Sequence, residues 1–194
     1  MQSGVERALE GAVKRARASG YRGDSGAAVV LEIKTGRVLA MASYPTYEPE
    51  IWQKGLTVKQ AEDLFSEVKG VPALSRPLQG LFAPASTFKS VSVVAAANAG
   101  YPLDGSYNCP ASVEIGNRTF NNFDSVAAGR LKLDVGLAIS CDSLWYQIAY
   151  DEWVRDGGLK PKSKANDYFF NAAKAFGVGK VTGIDLPSEL SGRL

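Results

Sequence analysis

The 194-residue chain contains no histidine. That absence excludes a Ser-His-Asp triad within it and any His-ligated metal site, so hydrolytic or acyl-transfer chemistry must take its base from another side chain. Cysteine is nearly absent too. Cys109 and Cys141 are the only two, too few for a structural zinc site; unpaired thiols in apolar surroundings are expected, with a disulfide the alternative because sequence does not give their distance. No apolar run approaches the ~20 residues of a membrane span, and no signal-peptide pattern opens the chain, so it reads as soluble. Its abrupt start at Met1-Gln2-Ser3 fits a piece of something longer as well as a natural start. Charge of one sign is also lacking in excess. With 22 Lys+Arg against 20 Asp+Glu the net charge is +2, and no basic patch is interleaved with aromatics, which leaves nucleic-acid binding without support.

What remains is the composition of one globular domain, 45% hydrophobic and 22% charged, long enough to bury a sizeable core. Val5, Ala8, Leu9, Ala12, Val13 and Ala16 recur at three-four spacing and predict an amphipathic helix over 5–18, whose Lys14-Arg15-Ala16-Arg17 end is a solvated last turn. Residues 27–33 and 37–43 are β-rich runs joined by Lys34-Thr35-Gly36, an antiparallel hairpin apolar enough for central strands. A polar surface helix is expected from Thr57, its N-cap, to Lys69. After the prolines at 72, 77 and 84, residues 86–99 are apolar nearly all round and predict a core helix. The loop-rich 101–129 segment has a strand signal at 112–115 and could wall a cleft. Leu131 to Trp153 predicts a second apolar helix, interrupted by Ser140-Cys141-Asp142, and a last helix runs from about Lys164 to Phe176.

Chemistry concentrates where Ser86 and Lys89 open the first apolar helix. Residues three apart lie on one helix face, so the hydroxyl and amine converge, and a lysine held away from water can serve as a neutral base. A serine N-cap with a snorkelling lysine is the alternative. Ser66-Glu67-Val68-Lys69 has the same spacing but sits among Glu62, Asp63 and Glu67, which makes it a solvated surface pair. Ser140 and Asp142 form the second constellation. Positions i and i+2 do not share a helix face, so both enter one cleft only if the chain bends or ends a helix there; helix-internal hydrogen bonds are the bland reading. Ser106-Tyr107-Asn108 repeats the pattern in a loop and is read as a decoy.

Four stretches, in order, resemble the class B penicillin-binding proteins, the D,D-transpeptidases that cross-link peptidoglycan. They are Leu31-Glu32-Ile33-Lys34-Thr35-Gly36-Arg37-Val38-Leu39-Ala40-Met41, the run from Arg76 to Lys89, Ser140-Cys141-Asp142-Ser143-Leu144-Trp145-Tyr146-Gln147, and Phe176-Gly177-Val178-Gly179 leading to Thr182-Gly183-Ile184-Asp185-Leu186-Pro187. The resemblance implies an α+β transpeptidase fold of the penicillin-binding protein and serine β-lactamase type, an antiparallel sheet flanked by helices plus a helical subdomain. It implies Ser86 as the acylated nucleophile, Lys89 as its base, Ser140 as proton relay and Asp142, where many members carry Asn, as a substrate-binding residue. No metal or organic cofactor is implied. Implied partners are peptidoglycan stem peptides, β-lactams and a membrane lipid-II polymerase, with the parent anchored at the extracytoplasmic face of the bacterial membrane by an N-terminal segment absent here. A sensor or scaffold that only recognises penicillin, or a serine β-lactamase, is the alternative function.

The departure from the pattern is the third box, Lys-Thr-Gly followed by Ser or Thr, which belongs after the second. Nothing after Asp142 matches it, and Lys34-Thr35-Gly36 precedes the nucleophile in a hairpin turn. Residues 1–194 are therefore expected to be the N-terminal portion of one transpeptidase domain, incomplete without its C-terminal half, with an unpaired sheet edge that invites pairing with another chain.

Overall fold

The three-four spacing near the N-terminus forms helix α1 (Gln2–Ala18), with Arg15 and Arg17 in its last turn as the helix dipole favours. The computed structural model describes residues 1–53 and 55–194. Helix α1 lies on an antiparallel hairpin of β1 (Gly26–Leu31) and β2 (Val38–Tyr44). Small side chains permit the contact: Ala28 stands opposite Ala42 and Val30 opposite Ala40, and a Cβ on Gly26 would come within 2.9 Å of Leu9 Cδ1. The Gln2 carboxamide extends the ladder, donating to the Met41 carbonyl at 2.7 Å and accepting from the Met41 N–H at 3.0 Å. Lys34-Thr35-Gly36 lies in the turn, where the Gly36 N–H donates to the Glu32 carbonyl at 2.8 Å and its φ of +73° favours glycine. Among the described residues β1 and β2 pair only with each other, and Val29 and Leu31 on the second face stay exposed.

The surface helix α2 (Val58–Phe65) starts at Thr57 with a full capping box, the Gln60 N–H donating to Thr57 Oγ1 at 3.2 Å and the Thr57 N–H to Gln60 Oε1 at 2.9 Å. It ends before the expected Lys69. Extended backbone at Ser66 stops it, the Ser66 hydroxyl accepts the Lys69 N–H at 3.3 Å, and Lys69 reaches Asp63 at 2.6 Å on the surface. The short helix α3 (Arg76–Gln79) begins with Arg76, whose guanidinium is buried and donates to the Pro45, Val71 and Leu74 carbonyls at 3.4 Å each and to that of Gly70. These elements, residues Met1–Phe82 with Gly183–Leu190, form one compact unit; within it the Leu190 N–H donates to the Leu78 carbonyl at 2.9 Å.

Ala83–Thr182 with Ser191–Leu194 form the second unit. Its centre is helix α4 (Lys89–Asn98), entered through a 3-10 turn at Ala85–Phe88, with Ala95 and Ala96 fully buried. Strand β3 (Tyr107–Cys109) and β4 (Ser112–Ile115) begin two antiparallel pairs completed by β5 (Arg118–Asn121), which pairs with β4, and β6 (Gly129–Leu131), which pairs with β3. The single helix expected over 131–153 is two, α5 (Leu133–Ala138) and α6 (Asp142–Arg155). A close crossing accompanies the break: a Cβ on Gly136 would stand 2.6 Å from Leu144 Cδ2. Leu131, Leu133, Leu144, Trp145 and Ile148 share a core with Ala96. Helix α7 (Tyr168–Ala175) packs Ala172 and Ala173 on Val91 and Ala95. It begins later than expected, at Tyr168, because the Asp156 carboxylate takes the Asn166 and Asp167 N–H groups at 3.0 and 2.9 Å; those bonds hold Asp156 below its usual carboxylate value. Antiparallel pairs beside packed helices make the class α+β, as expected.

Two outcomes test these features. Arg76→Met strips donors from four buried or half-buried carbonyls, and Arg76→Lys offers a single point charge where a planar fork is required; both variants are expected to lose roughly 2 kcal/mol or more in urea unfolding. Full stability in Arg76→Lys would refute the fork's role. The Tyr101 phenol, desolvated in the second unit and beside Glu152, is pushed up from 10.0 to about 12. Folding thus keeps the phenol neutral, so its contribution is complete below pH 10 and is lost as pH rises towards 12. Tyr101→Phe is expected to flatten the fall in Tm over that interval, read by thermal scans across alkaline pH.

Candidate active site

Ser86 is set by local backbone. Ala85 adopts φ 48°, a left-handed conformation uncommon for alanine, and turns the chain into the 3-10 segment. In such a turn residues three apart eclipse one another more fully than in an α-helix. Ser86 Oγ and Lys89 Nζ consequently lie 3.2 Å apart, where Lys89 begins α4. Ser86 is exposed, while Lys89 is buried at 7% relative exposure.

Ser140 and Asp142 reach the same amine from the break between α5 and α6. Ser140 has φ 59°, also left-handed, and α6 starts at Asp142, so the two side chains escape the divergence a continuous helix would impose. Lys89 Nζ lies 2.7 Å from both the carbonyl and the hydroxyl of Ser140 and is ion-paired with Asp142 Oδ1. Ser140 Oγ donates to Ser86 Oγ at 3.1 Å and closes a triangle of two hydroxyls and an amine. All the sequence-predicted site residues, Ser86, Lys89, Ser140 and Asp142, are thus brought together.

The amine's protons can be counted. Nζ has four polar neighbours, and an ammonium has three N–H groups. The Ser140 carbonyl and an ionised Asp142 can only accept, which commits two N–H groups. The remaining position faces the hydroxyls, filled by a third N–H in the ammonium or by the lone pair in the neutral amine. The arrangement can therefore receive a proton from Ser86 while Nζ keeps both its fixed acceptors.

A cleft of about 380 Å³ opens over Ser86, Ser140 and Asp142 and is walled by Asn122, Phe123 and Asp124 of the loop-rich segment. On the other side of Ser86, a second cavity of about 470 Å³ is lined by aromatic side chains, among them Phe88, Trp145 and Phe169. The decoys stay outside both linings. Ser66 caps a surface turn, and Ser106 accepts from Arg130 Nε at 3.0 Å.

The cysteines correct an expectation. They form a disulfide, Cys109–Cys141, instead of two thiols, because the end of β3 packs beneath the α5–α6 break. Asn122 and Ser143, buried beside it, were not anticipated. Their neighbour Cys141, placed between Ser140 and Asp142, was the available signal.

Residues 26–194 match the family described as penicillin binding protein transpeptidase domain. The chain is 31% identical over 179 residues, 89% of its length, to peptidoglycan D,D-transpeptidase MrdA of Escherichia coli, of which it covers 26%. Among solved structures it resembles PBP2 of Pseudomonas aeruginosa in complex with WCK 5153, with a TM-score of 0.69, 26% identity and coverage of 96% of this chain and 39% of that one. A chain of a peptidoglycan synthase complex matches with a TM-score of 0.72 and 28% identity, covering 95% of this chain and 31% of the other. The chain spans about a quarter of the length of the curated relatives it matches. The family match, the relative and the shared fold agree: the chain belongs to the class B penicillin-binding proteins, within their transpeptidase domain family.

Proposed function

We propose that this chain supplies the nucleophile and proton-transfer groups of a serine-type D-Ala-D-Ala transpeptidase that cross-links peptidoglycan stem peptides and is acylated by β-lactams. The observation carrying the reading is the triangle of Ser86 Oγ, Lys89 Nζ and Ser140 Oγ, with sides of 3.2, 2.7 and 3.1 Å. These are hydrogen-bonding distances for a nucleophile, a base and a relay.

Ser86 Oγ attacks the carbonyl of the penultimate D-Ala, and its proton passes to Lys89 Nζ. Collapse of the tetrahedral adduct breaks the C–N bond, the proton travels by way of Ser140 to the leaving amine, and D-Ala departs. An amine of a neighbouring stem peptide then attacks the Ser86 ester, returning a proton along the same route as Ser86 leaves as a hydroxyl. Asp142 keeps the lysine in place and offers its second oxygen to a substrate amide. Residues 1–194 are read as the N-terminal portion of this domain; the family's third box, which would receive the substrate carboxylate and complete the oxyanion hole, lies in the remainder of it. The working place is the extracytoplasmic face of the membrane, beside a lipid-II polymerase. The disulfide suits that oxidising compartment, and no described helix is long and apolar enough to cross a membrane.

Intact-mass spectrometry of a protein carrying the complete transpeptidase domain, incubated with a β-lactam, tests the assignment. A stable adduct is expected in the parent and none in Ser86→Ala. Lys89→Ala is expected to slow acylation by about 10²- to 10⁴-fold, the range for loss of a positioned base. An adduct that persists in Ser86→Ala, or none in the parent, would remove the proposal.

A further inference from the structure

Two alternate residues at the start of α6, Cys141 and Ser143, are anchored on their inner side, and the anchors use none of the reacting groups. Cys141 is bonded to Cys109, with both side chains at 2% exposure or less. Ser143 is fully buried, and its hydroxyl donates to the Pro110 carbonyl at 2.7 Å. Asn122 completes the set. Its Oδ1 accepts the Ser143 N–H at 2.9 Å, and its Nδ2 donates to the Pro110 and Val126 carbonyls at 2.8 Å each. One buried carboxamide thereby ties together the link after β3, the loop walling the cleft and the first turn of α6.

Ser140 and Asp142 alternate with these anchors and face the opposite way, onto Lys89. The alternation makes their position dependent on the anchors. Ser140 holds a left-handed φ of 59°, a strained conformation for an L-residue that persists only where the surroundings enforce it. Released from Cys109 and Asn122, the segment can relax towards ordinary helical backbone, and the Ser140 hydroxyl and Asp142 carboxylate would then diverge from Nζ.

We propose that the Cys109–Cys141 disulfide and Asn122 form a positioning clamp that holds Ser140 and Asp142 on Lys89 for acyl transfer. None of the clamp residues meets the Ser86 hydroxyl directly; they act through the two residues they flank. The inference rests on the acyl-transfer reading above and makes the oxidised state of the chain a condition of full activity.

The test uses a protein with the complete domain and a fluorescent penicillin, comparing the oxidised parent with Cys109→Ala/Cys141→Ala and with Asn122→Asp, which preserves side-chain size while removing both Nδ2 donors. Variants that keep the parent's far-UV circular dichroism are expected to show a limiting acylation rate ~10- to 100-fold lower, the effect of a displacement of about 1 Å in a catalytic group, with the half-saturating penicillin concentration little changed. A purely structural role would instead lower Tm and leave the rate of the folded fraction intact, and that result overturns the clamp. A crystal structure of the double variant with Ser140 and Asp142 still on Lys89 also overturns it, whether or not the parent reacts. Failure of the oxidised parent to acylate Ser86 is the separate result that defeats the acyl-transfer reading, and the crystal structure then decides the clamp alone.

Discussion

A lysine amine held away from water must have its hydrogen-bonding positions filled, and that requirement organises the second unit. Lys89 cannot easily lead its amine to solvent, because it begins a helix whose other turns carry fully buried alanines. Its partners have to be brought to it. An uncompensated buried charge costs several kcal/mol, a large share of the margin that separates folded from unfolded chains, so the acceptors around Nζ support the fold as well as being groups available for chemistry. The same contacts account for both.

The backbone meets this requirement by departing from regular helix at two places. A 3-10 turn superimposes Ser86 on Lys89, where an α-helix would leave the two offset along its surface. The interruption between α5 and α6 releases Ser140 and Asp142 from helical divergence. Each departure has a left-handed non-glycine residue at it, Ala85 in one case and Ser140 in the other. Glycine would reach the same φ with less strain, but at position 140 it would remove the hydroxyl that links Ser86 to Lys89. Side-chain chemistry there outweighs backbone ease.

The legible parts of the sequence are those governed by local pattern. Helix α1, the hairpin with its Gly36 turn, the Thr57 cap and strand β4 all follow from residues within a few positions of one another. The two Ser-x-x-Lys matches were separable because charge density differs around them, and the requirement that a helix break beside Ser140 followed from i,i+2 geometry. Long-range effects were not legible. The pairing of Cys109 with Cys141 depends on β3 packing under α6, and the late start of α7 depends on a carboxylate in the preceding loop. The division of 131–153 into two helices was legible only as the condition for Ser140 and Asp142 to share a cleft, because the apolar pattern continues across the break. Family resemblance assigned the roles of Ser86 and Lys89 more sharply than the residues could, since a capped helix with a snorkelling lysine has the same letters.

Ser86, Lys89, Ser140 and Asp142 all lie within the Ala83–Thr182 part of one compact unit, so their convergence follows from the packing of α4 against the α5–α6 break. On the proposed reading this separates two requirements of acyl transfer. Proton movement needs donors and acceptors within hydrogen-bond reach of the attacking oxygen, and the triangle at Lys89 meets that need by itself. Stabilising the developing oxyanion needs donors preorganised on the far side of the substrate carbonyl, a role the family gives to its third box. A residue that moves protons acts on a bond present before the substrate arrives, whereas an oxyanion donor acts on charge that exists only during reaction. The first can therefore be assembled and held by the local fold, through the α5–α6 break and its anchors, independently of the element that supplies the second.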